Sequence, residues 1–441
     1  MKDPKPPVTE TGRVESLTHE GEGVVRGGKT AFVGGALPGE TVSFVRRHHH
    51  RQHDEAELVA VLEASSARVT PRCAHFGVCG GCALQHLDSD AQLAIKEQQL
   101  RDNLERVGRV APVRWLAPLR GPQWQYRRRA RLGARFVRKR GRSMVGFRER
   151  FSAHVAELER CEVLAAPVDA LVEPLGTLLS GLSIRERVPQ IEVAVGENAV
   201  ILVVRVLLPP TAADEQQLLE FEAAHGVRMY LQPAGLNSVR PLREPAVSLE
   251  YSLPEFAVRL KFEPSDFIQI NAELNRSLVS RVIELLELDA DARVLDLYCG
   301  LGNFTLPMAR RAAQVLGVEG EASLVARARD NAALNGLANA HFHTADLAGA
   351  DFGAAQWASR PYSHVLLDPP RAGAREVLPL VQRTGAGRIV YVACHPGSLA
   401  RDLGILVHEL GYELLAAGVA DMFPQTTHVE SLAVLAPRSR S

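Results

Sequence analysis

A chain of 441 residues is too long for one ordinary hydrophobic core, so two to four domains are expected. With 46% hydrophobic and 23% charged residues it has a globular composition, and it contains no apolar run of about twenty residues that would suit a membrane span. Its 51 basic and 51 acidic residues cancel, which excludes a uniformly cationic nucleic-acid binder but not a local basic patch.

The opening residues, M-K-D-P-K-P-P-V-T-E, lack the apolar stretch of a secretory signal, so a cytoplasmic protein is expected. Residues 8 to 66 alternate short β-prone runs with glycine turns, as a small five-stranded barrel requires. G-E-G-V at Gly21 to Val24 and A-L-P-G-E at Ala36 to Glu40 resemble the TRAM domain, an OB-like RNA-binding barrel. Arg46, Arg47, His48, His49, His50 and Arg51 extend one of its strands, where they would meet a phosphate backbone; a solvated polar hairpin is the alternative.

Six cysteines follow: Cys73, Cys79, Cys82, Cys161, Cys299 and Cys394. In a cytoplasmic chain such clustering points to metal or catalysis before disulfides. Cys73, Cys79 and Cys82 have C-x5-C-x2-C spacing, one ligand short of a site, and Cys161 in L-E-R-C-E is the candidate fourth. Four thiolates suit tetrahedral zinc or a [4Fe-4S] cluster, and spacing alone leaves both open. With every iron capped by cysteine, a cluster would have no open iron for catalysis, so its role would be structural or RNA-shaping.

Ser89 to Gly108 reads as a packing helix, with Leu93, Leu100, Leu104 and Val107 on one face, a Ser89/Gln92 capping box and Gly108 as the stop. Residues 127 to 142 hold nine basic residues in sixteen and no acid, a patch suited to phosphates. Ile191 to Leu208 is a hairpin turning at Gly196 to Asn198, and Arg228 opens another strand, so the middle third is mainly β and ends near Phe262.

Beyond it strands and helices alternate. Asn271 to Leu288 is helical, Arg293 to Leu297 a buried strand, Val315 to Glu319 a second strand, and Ala322 to Leu334 a helix closed by Asn335-Gly336. Further strands end near Asp346, at Asp368 and at Cys394. This pattern implies a doubly wound parallel sheet, whose carboxyl edge is where ligands bind.

Y-C-G-L-G-N, residues 298 to 303, joins a strand to a helix, and Glu319 ends the next strand at the offset from which an acid accepts both hydroxyls of a ribose. The loop lacks the third glycine of a dinucleotide fingerprint, which favours S-adenosylmethionine over NAD. Asp368-Pro369-Pro370-Arg371 resembles the D-P-P motif of base methyltransferases, but with arginine where enzymes acting on exocyclic amines carry a stacking aromatic. That disfavours methylation of an amine; a ring carbon, a poor nucleophile, would need covalent help. Cys394, ending the apolar run Ile389 to Ala393 where the turn formers Pro396 and Gly397 should turn strand into loop, is placed to give it. Taken alone, Cys394 is as well read as an inert core thiol, and Cys299 as a space-filler.

D-L-Y-C-G-L-G-N-F-T, L-D-P-P-R-A-G, C-H-P-G-S-L-A-R-D and M-F-P-Q-T-T-H-V-E together resemble the RNA uracil-5-methyltransferases. The TRAM-like start and H-F-G-V-C-G-G-C narrow the likeness to the iron–sulfur 23S ribosomal RNA (uracil-5-)-methyltransferases of the RumA/RlmD type. The resemblance spans essentially the whole chain. It implies a [4Fe-4S] cluster on Cys73, Cys79, Cys82 and Cys161, and S-adenosylmethionine contacts from Gln269, Tyr298, Asn303, Glu319, Asp346 and Asp368. It also implies Cys394 as nucleophile toward C6 of uracil and Glu430 as the base that removes the C5 proton. Tyr298 stands where phenylalanine is commoner, which keeps the ring.

The expectation is a multidomain enzyme: residues 1–67 a TRAM-like RNA-binding β-barrel, 68–262 a central, mainly β iron–sulfur domain with the basic patch, and 263–441 an α/β Rossmann-like methyltransferase domain. It would act as a cytoplasmic monomer on one uridine of 23S ribosomal RNA, flipped from its stack. Methylation of a transfer RNA is the rival within the class, and a non-enzymatic iron–sulfur RNA-binding regulator the rival outside it.

Overall fold

The computed structural model describes residues 8–150, 152–349 and 355–438. The chain divides into two compact units. One comprises Met1–Ile95, Phe147–Leu158 and Phe423–Thr427, the other Lys96–Gly146, Glu159–Met422 and His428–Ser441.

In the first unit, β1 (Thr9–Leu17), β2 (Glu22–Val25), β3 (Thr30–Gly34), β4 (Thr41–His49) and β5 (His53–Glu63) form a closed barrel in the order β1-β2-β3-β5-β4. Inward-facing Val14, Val25, Ala31, Val33, Ala36, Val42 and Phe44 fill it. The alternation of apolar and polar residues made this barrel legible, since every second side chain must turn inward. The basic end of β4 behaves otherwise. Arg46 lies inside an ion-pair network with Glu10 and Asp54, Arg47 pairs with Glu57, His49 with Asp54 and His50 with Glu55, so most of this run is neutralised by its own barrel.

Helix α1 (Ser89–Asn103) continues into a π-helical turn, Leu104–Gly108. The expected capping box does not form: Asp88 accepts from the amides of Asp90 and Ala91, while Gln92 donates to the carbonyls of Leu84 and Leu87. Leu93, Leu100 and Leu104 are buried as expected, but Val107 is 53% exposed. The wider π turn rotates it off the apolar face, which a 3.6-residue period does not anticipate.

Among its described residues the second unit contains three sheets. After β6 (Arg114–Trp115) come β7 (Arg129–Val137), β8 (Arg142–Gly146), α2 (Val172–Gly181), β9 (Gln190–Val195), β10 (Val200–Arg205), α3 (Ala212–His225), β11 (Arg228–Gln232) and β12 (Arg240–Pro241). Six of these strands form one sheet, ordered β12-β11-β10-β9-β7-β8. The β9–β10 hairpin is as expected. Helix α3 was not anticipated, although Thr211 and Asp214 make a reciprocal capping box at its start and Gly226 ends it at φ +63°.

A hairpin of β13 (Leu249–Leu253) and β14 (Val258–Phe262) precedes α4 (Ala272–Leu286), β15 (Arg293–Leu297), α5 (Thr305–Ala309), β16 (Gln314–Glu319), α6 (Ala322–Leu334) and β17 (Ala340–Thr344). Then follow β18 (His364–Leu367), α7 (Leu378–Arg383), β19 (Arg388–Ala393), α8 (Pro396–His408), β20 (Tyr412–Ala420) and β21 (Glu430–Pro437). They build an eight-stranded sheet ordered β17-β16-β15-β18-β19-β21-β20-β6. It is parallel from β17 to β19, as the alternating pattern implied, but β21 runs antiparallel to both β19 and β20. Pro396 and Gly397 do not make a loop: Pro396 is the first residue of α8, where its missing N–H costs no hydrogen bond. No helix among the described residues is long and apolar enough to cross a membrane.

Candidate active site

Strand register alone brings the expected residues to one edge of the sheet. Glu319 pairs with Thr344, Leu297 with both Val318 and Leu367, Leu367 with Tyr391, and Ala393 with Ser431. Asp346, Glu319, Tyr298, Asp368, Cys394 and Glu430 therefore follow one another along that edge in strand order. The first five come from carboxyl ends of parallel strands. Glu430 joins them because β21 is antiparallel and its amino end lies at the same edge.

Cys394 is half-buried, and burial pushes its thiol up to about 11, with the negative charges of Glu430 and Asp368 adding to the effect. Glu430 is 2% exposed, and loss of hydration, with Asp368 beside it, raises its carboxyl well above the carboxylate range. Asp368 retains some exposed surface yet is enclosed by neighbouring atoms, so desolvation lifts it to about 7. Three acids that all resist ionisation, meeting at one ligand edge, suit proton transfer more than structural pairing.

The Asp368-Pro369-Pro370-Arg371 loop is fastened to α8. Ser398 Oγ donates to the Arg371 carbonyl at 3.0 Å, Arg401 to that of Ala372 at 2.9 Å, and the Ala374 amide donates to Asp402 at 2.7 Å. His395 caps the helix by accepting from the Ser398 amide at 3.1 Å.

On the nucleotide side, Tyr298 adopts φ +67°, a conformation bulky residues avoid and which marks functional turns. At Gly300, φ is +54° and a Cβ would meet nothing within 4 Å, which leaves an open cradle. Glu319 accepts from the amides of Gly300 at 3.1 Å and Glu321 at 3.0 Å, one on each oxygen, so the carboxylate is held still. Asn303 exchanges hydrogen bonds with the Asn275 amide and accepts from the Tyr251 hydroxyl at 3.0 Å, leaving one amide hydrogen for a ligand. Asp346 is exposed and caps the amide of Ala348 at 3.0 Å. The backbone carbonyl of Gln269, itself 9% exposed, accepts from Arg128 Nε at 2.7 Å.

Several contributors escaped the sequence reading. Asp296, wholly buried, accepts from Thr305 Oγ beneath the glycine loop and is lifted to about 8 by burial. Tyr251 and Asn275 position Asn303 from elements far away in sequence; nothing in their own neighbourhoods signals this. Arg128, counted in the basic patch, is 4% exposed and stacks over Tyr251 with its guanidinium carbon 4.5 Å from the ring centre. Arg131 and Arg129 pair with Glu192 and Arg138 with Glu186, while Arg135, Lys139, Arg140 and Arg142 are exposed. Cys299 is buried against Gly317, where a Cβ would fall 2.8 Å from its sulfur, as a space-filler should.

Cys73, Cys79 and Cys82 lie in the first unit and Cys161 in the second. The amide of Gly81 donates to the sulfur of Cys79 at 3.4 Å, a contact that favours thiolate, and soft thiolates fit iron or zinc. Among the described residues, no group of three or more His, Cys, Asp or Glu side chains is arranged to hold a metal ion.

Residues 247–438 match the family profile described as tRNA (Uracil-5-)-methyltransferase. The chain is 51% identical over 435 residues, 98% of each protein, to a Methylococcus capsulatus protein named 23S rRNA (uracil(1939)-C(5))-methyltransferase RlmD. A protein of the same name from Stenotrophomonas maltophilia is 50% identical over 426 residues, 96% of each. Among solved structures, the Pyrococcus abyssi tRNA (uracil-54, C5)-methyltransferase in complex with S-adenosyl-L-homocysteine matches with TM-score 0.75 over 96% of this chain and 99% of that one, at 23% identity.

Proposed function

The chain belongs to the 23S rRNA (uracil-C5)-methyltransferase family, and from that premise we propose that it methylates C5 of one uridine in 23S ribosomal RNA through a covalent adduct on Cys394. The relatives' names point to uridine 1939, and we assign the same target. The observation that carries the reading is the juxtaposition of Cys394 and Glu430 at one sheet edge with Asp368 alongside.

In this reading the Cys394 thiol loses its proton to solvent as uracil enters, and the thiolate sulfur adds to C6; the displaced ring electrons form an enolate across C5 and the neighbouring carbonyl, which makes C5 the nucleophile. S-adenosylmethionine, when bound, supplies the methyl group. Glu430, once it has passed its own proton to solvent, then takes the C5 proton; the C6–S bond breaks, the double bond returns and the thiolate is released. Gln269, Tyr298, Asn303, Glu319, Asp346 and Asp368 are the cofactor contacts, with Glu319 on the ribose and Asp368 near both cofactor and uracil.

The finer assignments belong to the same proposal. Residues 1–67 act as a TRAM barrel and, with the exposed arginines and lysine of 131–142, hold RNA. Within 68–262, Cys73, Cys79, Cys82 and Cys161 hold a [4Fe-4S] cluster; thiolate chemistry and the Gly81 contact to Cys79 support it, and it organises this domain. Residues 263–441 are the methyltransferase domain. The working unit is a cytoplasmic monomer.

The test is to map 5-methyluridine in 23S ribosomal RNA from a strain lacking this protein and restore it with purified protein and S-adenosylmethionine. Loss and recovery at one uridine is expected; unchanged RNA that the protein also fails to methylate in vitro would overturn the reading.

A further inference from the structure

One carboxylate joins the two halves of the proposed catalytic centre. Asp402 is wholly buried. Its Oδ2 accepts from the Tyr391 hydroxyl and from the Ala374 amide, each at 2.7 Å. Its Oδ1 accepts from Nε and Nη2 of Arg401 at 2.8 and 2.7 Å, and the same Nη2 donates to the Ala372 carbonyl. Tyr391 belongs to β19, which ends at the residue before Cys394. Ala372 and Ala374 belong to the loop that follows Asp368, and Asp402 itself lies on α8, which starts two residues after Cys394. Gly373 makes the approach possible: at φ +90° it brings the loop so close that a Cβ would fall 2.5 Å from Asp402 Oδ2 and 2.6 Å from Arg401 Nη2.

We propose that Asp402 is a positioning residue for methyl transfer, fixing the separation between Asp368 and Cys394 by clamping the loop of one against the strand and helix of the other. This rests on the reading of Cys394 as nucleophile. A carboxylate takes hydroxyl, amide and guanidinium donors at once; without it the Tyr391 hydroxyl and the Ala374 amide are left in an enclosed site with no acceptor, and Arg401 loses the partner that holds it against the loop. A displacement of about 1 Å at a reacting centre is enough to lower a rate by about a hundredfold.

The test measures single-turnover trapping of RNA containing 5-fluorouridine, per folded molecule, beside RNA affinity and thermal melting. Asp402→Ala is expected to trap about a hundredfold more slowly, with RNA affinity held within about twofold. Asp402→Asn, which keeps one acceptor oxygen, should lose about tenfold, as one charge-assisted bond is worth. A purely structural residue would lower the melting temperature and leave the rate per folded molecule unchanged, and that result would overturn the proposal. Should Asp402→Ala fail to fold, Tyr391→Phe decides, since it removes one donor of the clamp and leaves the carboxylate in place: slowed trapping supports the clamp, and a wild-type rate rejects it. A wild-type enzyme that forms no adduct refutes the nucleophile reading instead.

Discussion

Cys394 and Glu430 are the next residues outward from the paired Ala393 and Ser431 of two antiparallel strands, so the proposed nucleophile and the proposed base lie side by side just beyond the last pair of that ladder. In the proposed mechanism that neighbour relation makes Glu430 available to a uracil carbon while the ring is still attached to sulfur. Glu430→Gln should form the methylated adduct and fail to release it, with turnover lowered by about 10²- to 10⁴-fold. A denaturation-resistant enzyme–RNA band on ordinary uridine RNA is the expected readout; a variant that turns over normally would remove Glu430 from the mechanism.

The thiol of Cys394, pushed up to about 11, is mostly protonated at neutral pH, and thiolate is its reactive form. In the enzyme without RNA, its alkylation by iodoacetamide should therefore quicken about tenfold per pH unit between about pH 7 and 9. Removing a negative neighbour favours thiolate, so Glu430→Gln should move the profile toward lower pH. A wild-type plateau already reached at about pH 8 would contradict this.

Asp368 has a folded-state carboxyl near 7 against 3.8 for the ordinary side chain, so the folded protein binds its proton more tightly than the unfolded chain. Stability linked to this group is complete below about pH 4 and is lost as pH rises through about 7. Asp368→Asn should then stabilise the fold by roughly 2 kcal/mol at pH 8, reduced from the full shift because the carboxyl keeps some solvent, and by nothing near pH 4. Urea denaturation at the two pH values measures it, and equal effects at both would refute the assignment.

Lys96 and Asp421 form an ion pair at 2.6 Å with side chains 1% and 2% exposed. Lys96→Met alone should cost about 3 kcal/mol by stranding the carboxylate, while Lys96→Met combined with Asp421→Leu should recover most of the loss. Chemical denaturation of the single and double variants decides it: a double variant no more stable than the single would mean the two charges are not coupled.

Protein purified without oxygen should be brown and carry about four irons per chain, and Cys161→Ala should lose both. A colourless protein with about one zinc per chain would replace the cluster with a structural zinc.

The barrel and the parallel half of the large sheet were legible because their periods, two along half-buried strands and unbroken apolar runs in buried ones, are written locally. So was the placing of Glu319, Asp346 and Asp368 at strand ends, since each ends or follows its own strand; their order along the edge was not, because it depends on the strand order of the sheet. Val107 was misread because a π turn leaves no mark in an apolar pattern, and Pro396-Gly397 because the pair serves a turn and a helix start equally well. The charge of Arg46 and Arg128 was visible, but their partners, Glu10 with Asp54 in one case and Gln269 with Tyr251 in the other, are set by pairings distant in sequence. Asp402 lay inside a recognised motif, yet its role depends on a loop some thirty residues earlier that only the folded chain brings to it.

Strand β21 is the last of the large sheet in sequence yet sits between β19 and β20. Until it inserts, the facing edges of those two strands have no partner, and edges of that kind invite pairing with other chains. The same insertion delivers Glu430. Completion of the sheet and arrival of the proposed base are thus one event, so a chain stalled before its final strand would expose sticky edges and lack the group needed to finish a turnover.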